Sequence, residues 1–118
     1  MIKKYEEFVS KLQTATDERT IAWEKTSGND EYQAVIGGSS VSIKYHEALD
    51  FGIGISESKT YVSLILWNSK GEKIDEVRAE ANGIDYSVLH KLYESARRAC
   101  NKVEETLDEM LAVLEVAS

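Results

Sequence analysis

From Tyr86 to Val116 the chain carries no glycine and no proline. Apolar residues return there at three- and four-residue intervals: Leu89, Leu92, Tyr93, Ala96, Ala99, Cys100, Val103, Leu107, Met110, Leu111 and Leu114. With no backbone breaker, this spacing collects the apolar groups on one stripe of a helix. Unbroken, that helix is about 46 Å long at 1.5 Å per residue. A compact domain of this size has a radius of gyration of roughly 13–14 Å. The helix must therefore kink, overhang into solvent or lie against another chain.

Shorter patterns precede that element. Ile2, Tyr5, Phe8, Val9, Leu12 and Ala15 mark one face of a first helix over residues 2–16. Thr16-Asp17-Glu18-Arg19 breaks it, and Ile21, Trp23 and Thr26 suit a strand. Ser27-Gly28-Asn29-Asp30 and Gly37-Gly38-Ser39 read as turns. Between and after them, Tyr32, Ala34 and Ile36, then Val41, Ile43 and Tyr45, alternate with other residues as strands do. Residues 46–59 read as a loop or as short extensions of neighbouring strands. Tyr61 to Trp67 is apolar on both faces, the pattern of an interior strand. Asn68-Ser69-Lys70-Gly71 is a hairpin turn, and Ile74 to Ala79 is its more charged partner near an edge. Asp85 is placed to cap the long helix, with Ile84 and Leu89 at the staple positions. The expected fold is α+β, one domain over residues 1–118: an antiparallel meander of about five strands, flanked by an N-terminal helix and a long C-terminal helix. The simplest core places both helices on one face of the sheet.

Charge excludes some partners. Fourteen basic residues against 21 acidic ones leave a net charge of −7. Such a surface repels phosphate backbones and anionic membranes, so neither nucleic acid nor a membrane is an expected partner. Hydrophobic content of 42% is enough to form a core without a disulfide or a structural metal. The single cysteine cannot form an intramolecular disulfide, which fits a reducing compartment. Met1-Ile2-Lys3-Lys4-Tyr5-Glu6-Glu7 turns acidic where a signal peptide becomes apolar, and no run approaches the ~18 apolar residues of a membrane span. The expected location is the cytoplasm.

Four fragments carry a resemblance: Trp23-Glu24-Lys25-Thr26, Tyr32-Gln33-Ala34, Asn68-Ser69-Lys70-Gly71-Glu72-Lys73-Ile74 and Leu89-His90-Lys91-Leu92-Tyr93-Glu94-Ser95-Ala96-Arg97-Arg98. Over about residues 21–112 the chain resembles a loose group of small uncharacterised prokaryotic α/β proteins. The resemblance implies the fold only, and brings no activity with it. A small acidic α/β chain with an amphipathic C-terminal helix also looks like a bacterial secretion chaperone. Those chaperones usually place a helix between sheet segments, here residues 46–59, and Gly52-Ile53-Gly54 is a departure from that pattern.

Residues that carry chemistry are sparse. His46, with Glu47 and Asp50, has the makings of an acid/base fragment, and a pocket around His46, Asp50 and Tyr61 is the enzymatic alternative. No second His or Cys lies near enough in sequence to supply a metal site, and His46 reads better as a loop histidine. Gly52-Ile53-Gly54 and Gly37-Gly38-Ser39 lack the remaining residues of nucleotide-binding motifs and read as turns. Cys100 has Arg97 one turn away but no paired base, so it reads as a small packed thiol. His90 reads as a boundary residue. Trp23, Tyr32, Tyr45, Tyr61 and Trp67 read as core and sheet-face packing rather than a stacking platform. No catalytic residue, metal or cofactor is expected.

The sharpest clue is charge along the long helix. Residues 85–102 hold Lys91, Arg97, Arg98 and Lys102 against Asp85 and Glu94. Residues 103–118 hold Glu104, Glu105, Asp108, Glu109 and Glu115 with no base. As one helix, this order opposes the macrodipole. A second copy lying antiparallel would bring basic half against acidic half, with a two-fold axis near Cys100. The expected interaction residues are Arg97, Arg98, Lys102, Glu104, Glu105 and Asp108, with Leu107 and Leu111 on the apolar stripe. The expected function is a small, non-enzymatic protein-interaction module, homodimeric through its C-terminal helix. The alternative is a secretion-chaperone-like or inhibitor-like factor that holds one client protein.

Overall fold

A computed structural model describes residues 1–47 and 59–117. Asp50, Gly52-Ile53-Gly54 and nearly all of the 46–59 stretch lie outside the described residues. The elements run α1 (Lys3–Asp17), β1 (Glu24–Lys25), β2 (Glu31–Ile36), β3 (Ser39–His46), β4 (Tyr61–Trp67), β5 (Lys73–Glu80), α2 (Tyr86–Cys100) and α3 (Val103–Ala117). The strands form one sheet in the order β1-β2-β3-β4-β5, every neighbour antiparallel. The expected α+β meander is the observed fold. The first strand is shorter than Ile21–Thr26 implied: Glu24 and Lys25 alone enter the ladder.

Alternation decides the two faces of the sheet. Cross-strand pairs Ala34–Val41, Ile43–Leu64 and Val62–Ala79 share one face and are buried. Leu89, Leu92, Tyr93 and Ala96, at helical spacing on α2, bury the matching stripe, and α2 packs across β2 to β5. Helix α1 lies beside α2 and adds Val9 and Leu12 to the same core. Strand β4 is interior and β5 is the edge, as their compositions imply. The β2–β3 turn needs Gly37 because φ is +63° there, and a Cβ would meet nothing within 4 Å, so the demand is conformational rather than steric.

One buried polar link joins α1 to the β1 segment. Trp23 Nε1 donates to Thr16 Oγ1 at 3.0 Å, and both residues are buried. Thr16→Val keeps the volume and strands the indole N–H. It is expected to cost about 1–3 kcal/mol in urea unfolding; an unchanged midpoint would mean that water replaces the hydroxyl.

The C-terminal third departs from a single helix. It breaks at Asn101 and Lys102, with Lys102 in the left-handed region at φ +53°. The Asn101 N–H bonds Arg97 O at 3.0 Å and the Lys102 N–H bonds Ala99 O at 3.3 Å, closing α2. Thr106 N–H then bonds Lys102 O at 3.0 Å, opening α3. The start of α2 also differs from expectation. Asp85 makes no capping bond; its carboxylate accepts from the Met1 ammonium at 2.8 Å. Ile84 is 93% exposed, so no staple to Leu89 forms.

Candidate interaction surface

The break reverses the meaning of the charge pattern. Arg97 and Arg98 fall in the last turn of α2, and Glu104 and Glu105 fall in the first turn of α3. Bases at a C-terminus and acids at an N-terminus each suit their own helix dipole. An order that opposes one macrodipole favours two. The same charges are also partnered within the chain. Arg97 binds Glu94 at 2.9 Å, Arg98 binds Glu104 across the break, and Arg19 binds Glu105 at 3.1 Å. Lys102 leaves the helix at the break.

Pairing centred on Cys100 loses its basis here. Helix α2 is packed on the sheet, and the Cys100 thiol is half-buried. Cys100 lines a groove of about 510 Å³ with Trp23, Ala99, Arg19, Arg98 and Glu105. What remains open is α3. It packs against the end of α2, while Leu107 is 46% and Leu111 53% exposed, and Met110 and Leu114 are more so. Asp108 is exposed on the same helix. The structure thus places Arg97, Arg98, Glu104 and Glu105 at the junction, and Leu107, Leu111 and Asp108 on the projecting helix. A Cα radius of gyration of 16.7 Å, against about 13.5 Å for a compact chain of this length, fits such an overhang.

A second surface is invisible to local sequence pattern. Ile2, Tyr5 and Phe8 of the α1 end face Ile36, Val41, Leu66 and Ile74 across an apolar groove of about 500 Å³. Among the described residues of its lining, Lys4 is the one charged residue. Its wall residues come from separate elements, so no single segment announces it. At its rim the Tyr5 hydroxyl donates to Asp75 Oδ2 at 2.5 Å. Burial, then the Asp75 bond, pushes the Tyr5 phenol up to about 12.

The aromatic residues divide between the two faces. Tyr45 stacks on Tyr93 at 5.3 Å and meets His90 edge-on at 5.6 Å, while Tyr86 stacks on His90 at 5.3 Å. Burial, then the Asp30 charge, raises the Tyr93 phenol. This cluster joins α2 to β3, and His90 is a boundary residue within it. On the other face His46 stacks on Tyr61 at 4.8 Å, and Arg78 covers Tyr61 at 4.0 Å. Trp67 Nε1 donates to Ser42 Oγ at 2.8 Å there. His46 is half-buried and lines none of the grooves described above. Among the described residues no group of three or more His, Cys, Asp or Glu could hold a metal ion, and no helix is long and apolar enough to cross a membrane.

Two carboxylates set an acid response. The Tyr5 hydroxyl, then the Glu76 N–H, holds Asp75 below its ordinary range, and the Lys73 ammonium does the same for Glu76. A depressed folded pKa stabilises above the unfolded value and is lost as pH falls through the folded one. Unfolding midpoints are therefore expected to fall below about pH 4. The Asp75→Asn, Glu76→Gln double variant is expected to flatten that limb modestly, since solvent screens both groups. An equally steep limb in the variant would assign it to other carboxylates.

Comparison with protein-family models, with curated proteins and with solved structures finds no match for this chain.

Proposed function

We propose that this protein is a small, non-enzymatic interaction module that self-associates as a homodimer through α3. One observation carries the reading. Helix α3 projects from the core with Leu107, Met110, Leu111 and Leu114 exposed at helix-stripe spacing. Such a stripe has the i, i+3, i+4, i+7 form of a helix that docks into a partner. Covering a half-exposed side chain of this kind contributes about 1 kcal/mol. Eight such side chains over two copies exceed the lower estimates of the association cost, about 4 kcal/mol, by a small margin. That surplus, about 4 kcal/mol, corresponds to a dissociation constant on the order of millimolar. The lone thiol of Cys100 suits a reducing cytoplasm as the site of action.

The test is sedimentation equilibrium of the native chain from about 2 mM down to about 20 μM. A dimer that dissociates on dilution is expected. A monomer throughout the range would overturn the reading.

The acidic residues of α3 favour a second reading, in which the stripe holds a client with a basic surface. In that case the native chain stays monomeric alone, and a client captured from its host releases at high salt.

A further inference from the structure

Helix α3 is one unmet apolar surface, and the groove between α1 and the sheet end is another. We infer that the α3 stripe of one copy seats in the α1–sheet groove of a second copy, reciprocally, about a two-fold axis. This rests on the self-association reading above and names the surface that receives the helix.

The chain cannot make this contact with itself as folded. Glu105, at the start of α3, is tied to Arg19 just beyond the C-terminal end of α1. The groove opens at the other end of α1, beside Ile2 and Tyr5. The 15 residues of α1 separate the two by about 22 Å. No α3 residue lines the groove.

The two surfaces match in chemistry. The groove offers Phe8, Ile36, Leu66 and Ile74, and the helix offers Leu107, Met110, Leu111 and Leu114. Lys4 lines the groove and Lys3 is exposed next to it, the rim carboxylate of Asp75 is engaged by the Tyr5 hydroxyl, and α3 has five acids and no base. Asp108 and Glu109 flank the stripe at the level of Leu107 and Met110, where the two lysines can meet them. The competing arrangement, α3 against α3, would bring acid to acid with no base on either helix and leave both grooves empty. Reciprocal seating fills four apolar surfaces at once. A two-fold axis closes the contact, so growth stops at two copies.

Two variants and their mixture test it. Ile36→Glu with Ile74→Glu spoils the groove, and Leu107→Glu with Leu111→Glu spoils the helix. All four residues are at least 38% exposed, so both variants are expected to fold with native circular dichroism. Each alone is expected to weaken self-association at least about 100-fold, because a carboxylate would enter an apolar seat. Mixed at equal concentration, they keep one intact seat of the two and are expected to associate more tightly than either variant alone and more weakly than the native chain. A groove variant that dimerises as the native chain does would overturn this inference and leave the self-association reading standing. So would a mixture that associates no more tightly than the variants do alone. A native chain that is monomeric throughout would overturn both.

Discussion

A chain ending at Asn101 is expected to unfold at a midpoint that does not move with protein concentration, whereas the midpoint of the full chain rises with it. Association stabilises the folded state by mass action, so a dimer's unfolding temperature depends on concentration. Removing α3 removes the exposed stripe and leaves the core untouched. No α3 residue belongs to the buried cluster of Val9, Leu12, Ile43, Leu64, Leu89 and their neighbours. What the truncation breaks inside one chain is small. The Arg98–Glu104 and Arg19–Glu105 pairs are about half exposed, and such pairs are worth about 0–1 kcal/mol each. At low concentration, where the full chain is a monomer, the two midpoints are expected to agree within a few degrees. Differential scanning calorimetry over a concentration series makes the measurement. A truncated chain that still shows concentration dependence would place self-association elsewhere on the molecule.

Leu89→Ala is expected to cost about 2–5 kcal/mol in urea unfolding, a large share of the stability of a domain this small. Leu89 has no exposed surface and sits in the first turns of α2, where that helix crosses the sheet. Its removal leaves a cavity walled by secondary structure on both sides, which cannot collapse without moving α2. Leu111→Ala removes the same atoms from α3 and is expected to change monomer stability by less than about 0.5 kcal/mol, as surface substitutions do. The contrast between two leucines on neighbouring helices measures directly how unequal α2 and α3 are. Equal losses would mean that α3 packs into the core in solution.

Strand and helix positions are legible in the sequence because they rest on local pattern. Alternation at Tyr32, Ala34, Val41 and Ile43 and helical spacing at Leu89, Leu92 and Ala96 both describe faces, and a face must be buried somewhere. The turn at Asn68–Gly71 is legible for the same reason. The Asn68 carboxamide oxygen accepts from the Lys70 and Glu72 N–H groups, and Gly71 has φ +79°. Asp85 looks like a cap in sequence and is not one, because its carboxylate has a better partner brought from the far end of the chain.

The helix break is hidden for a different reason. No glycine or proline marks Asn101 and Lys102. The left-handed turn at Lys102 is accompanied by backbone bonds and by the Arg98–Glu104 and Arg19–Glu105 pairs, whose partners are distant or across the break. The signal is present as charge order: bases followed by acids, the arrangement that two consecutive helices prefer.

Sequence by itself determined the element order, the antiparallel meander, the interior place of β4 and the core faces of α1, α2 and the strands. Each follows from periodicity within one short segment and the cost of leaving an apolar face in water. Tertiary structure decided where the last helix ends, which charges are satisfied at home, and that two apolar surfaces stay open, α3 and the groove at the α1 end. These depend on segments as far apart in sequence as Arg19 and Glu105 meeting in space, and a local pattern holds no record of such meetings.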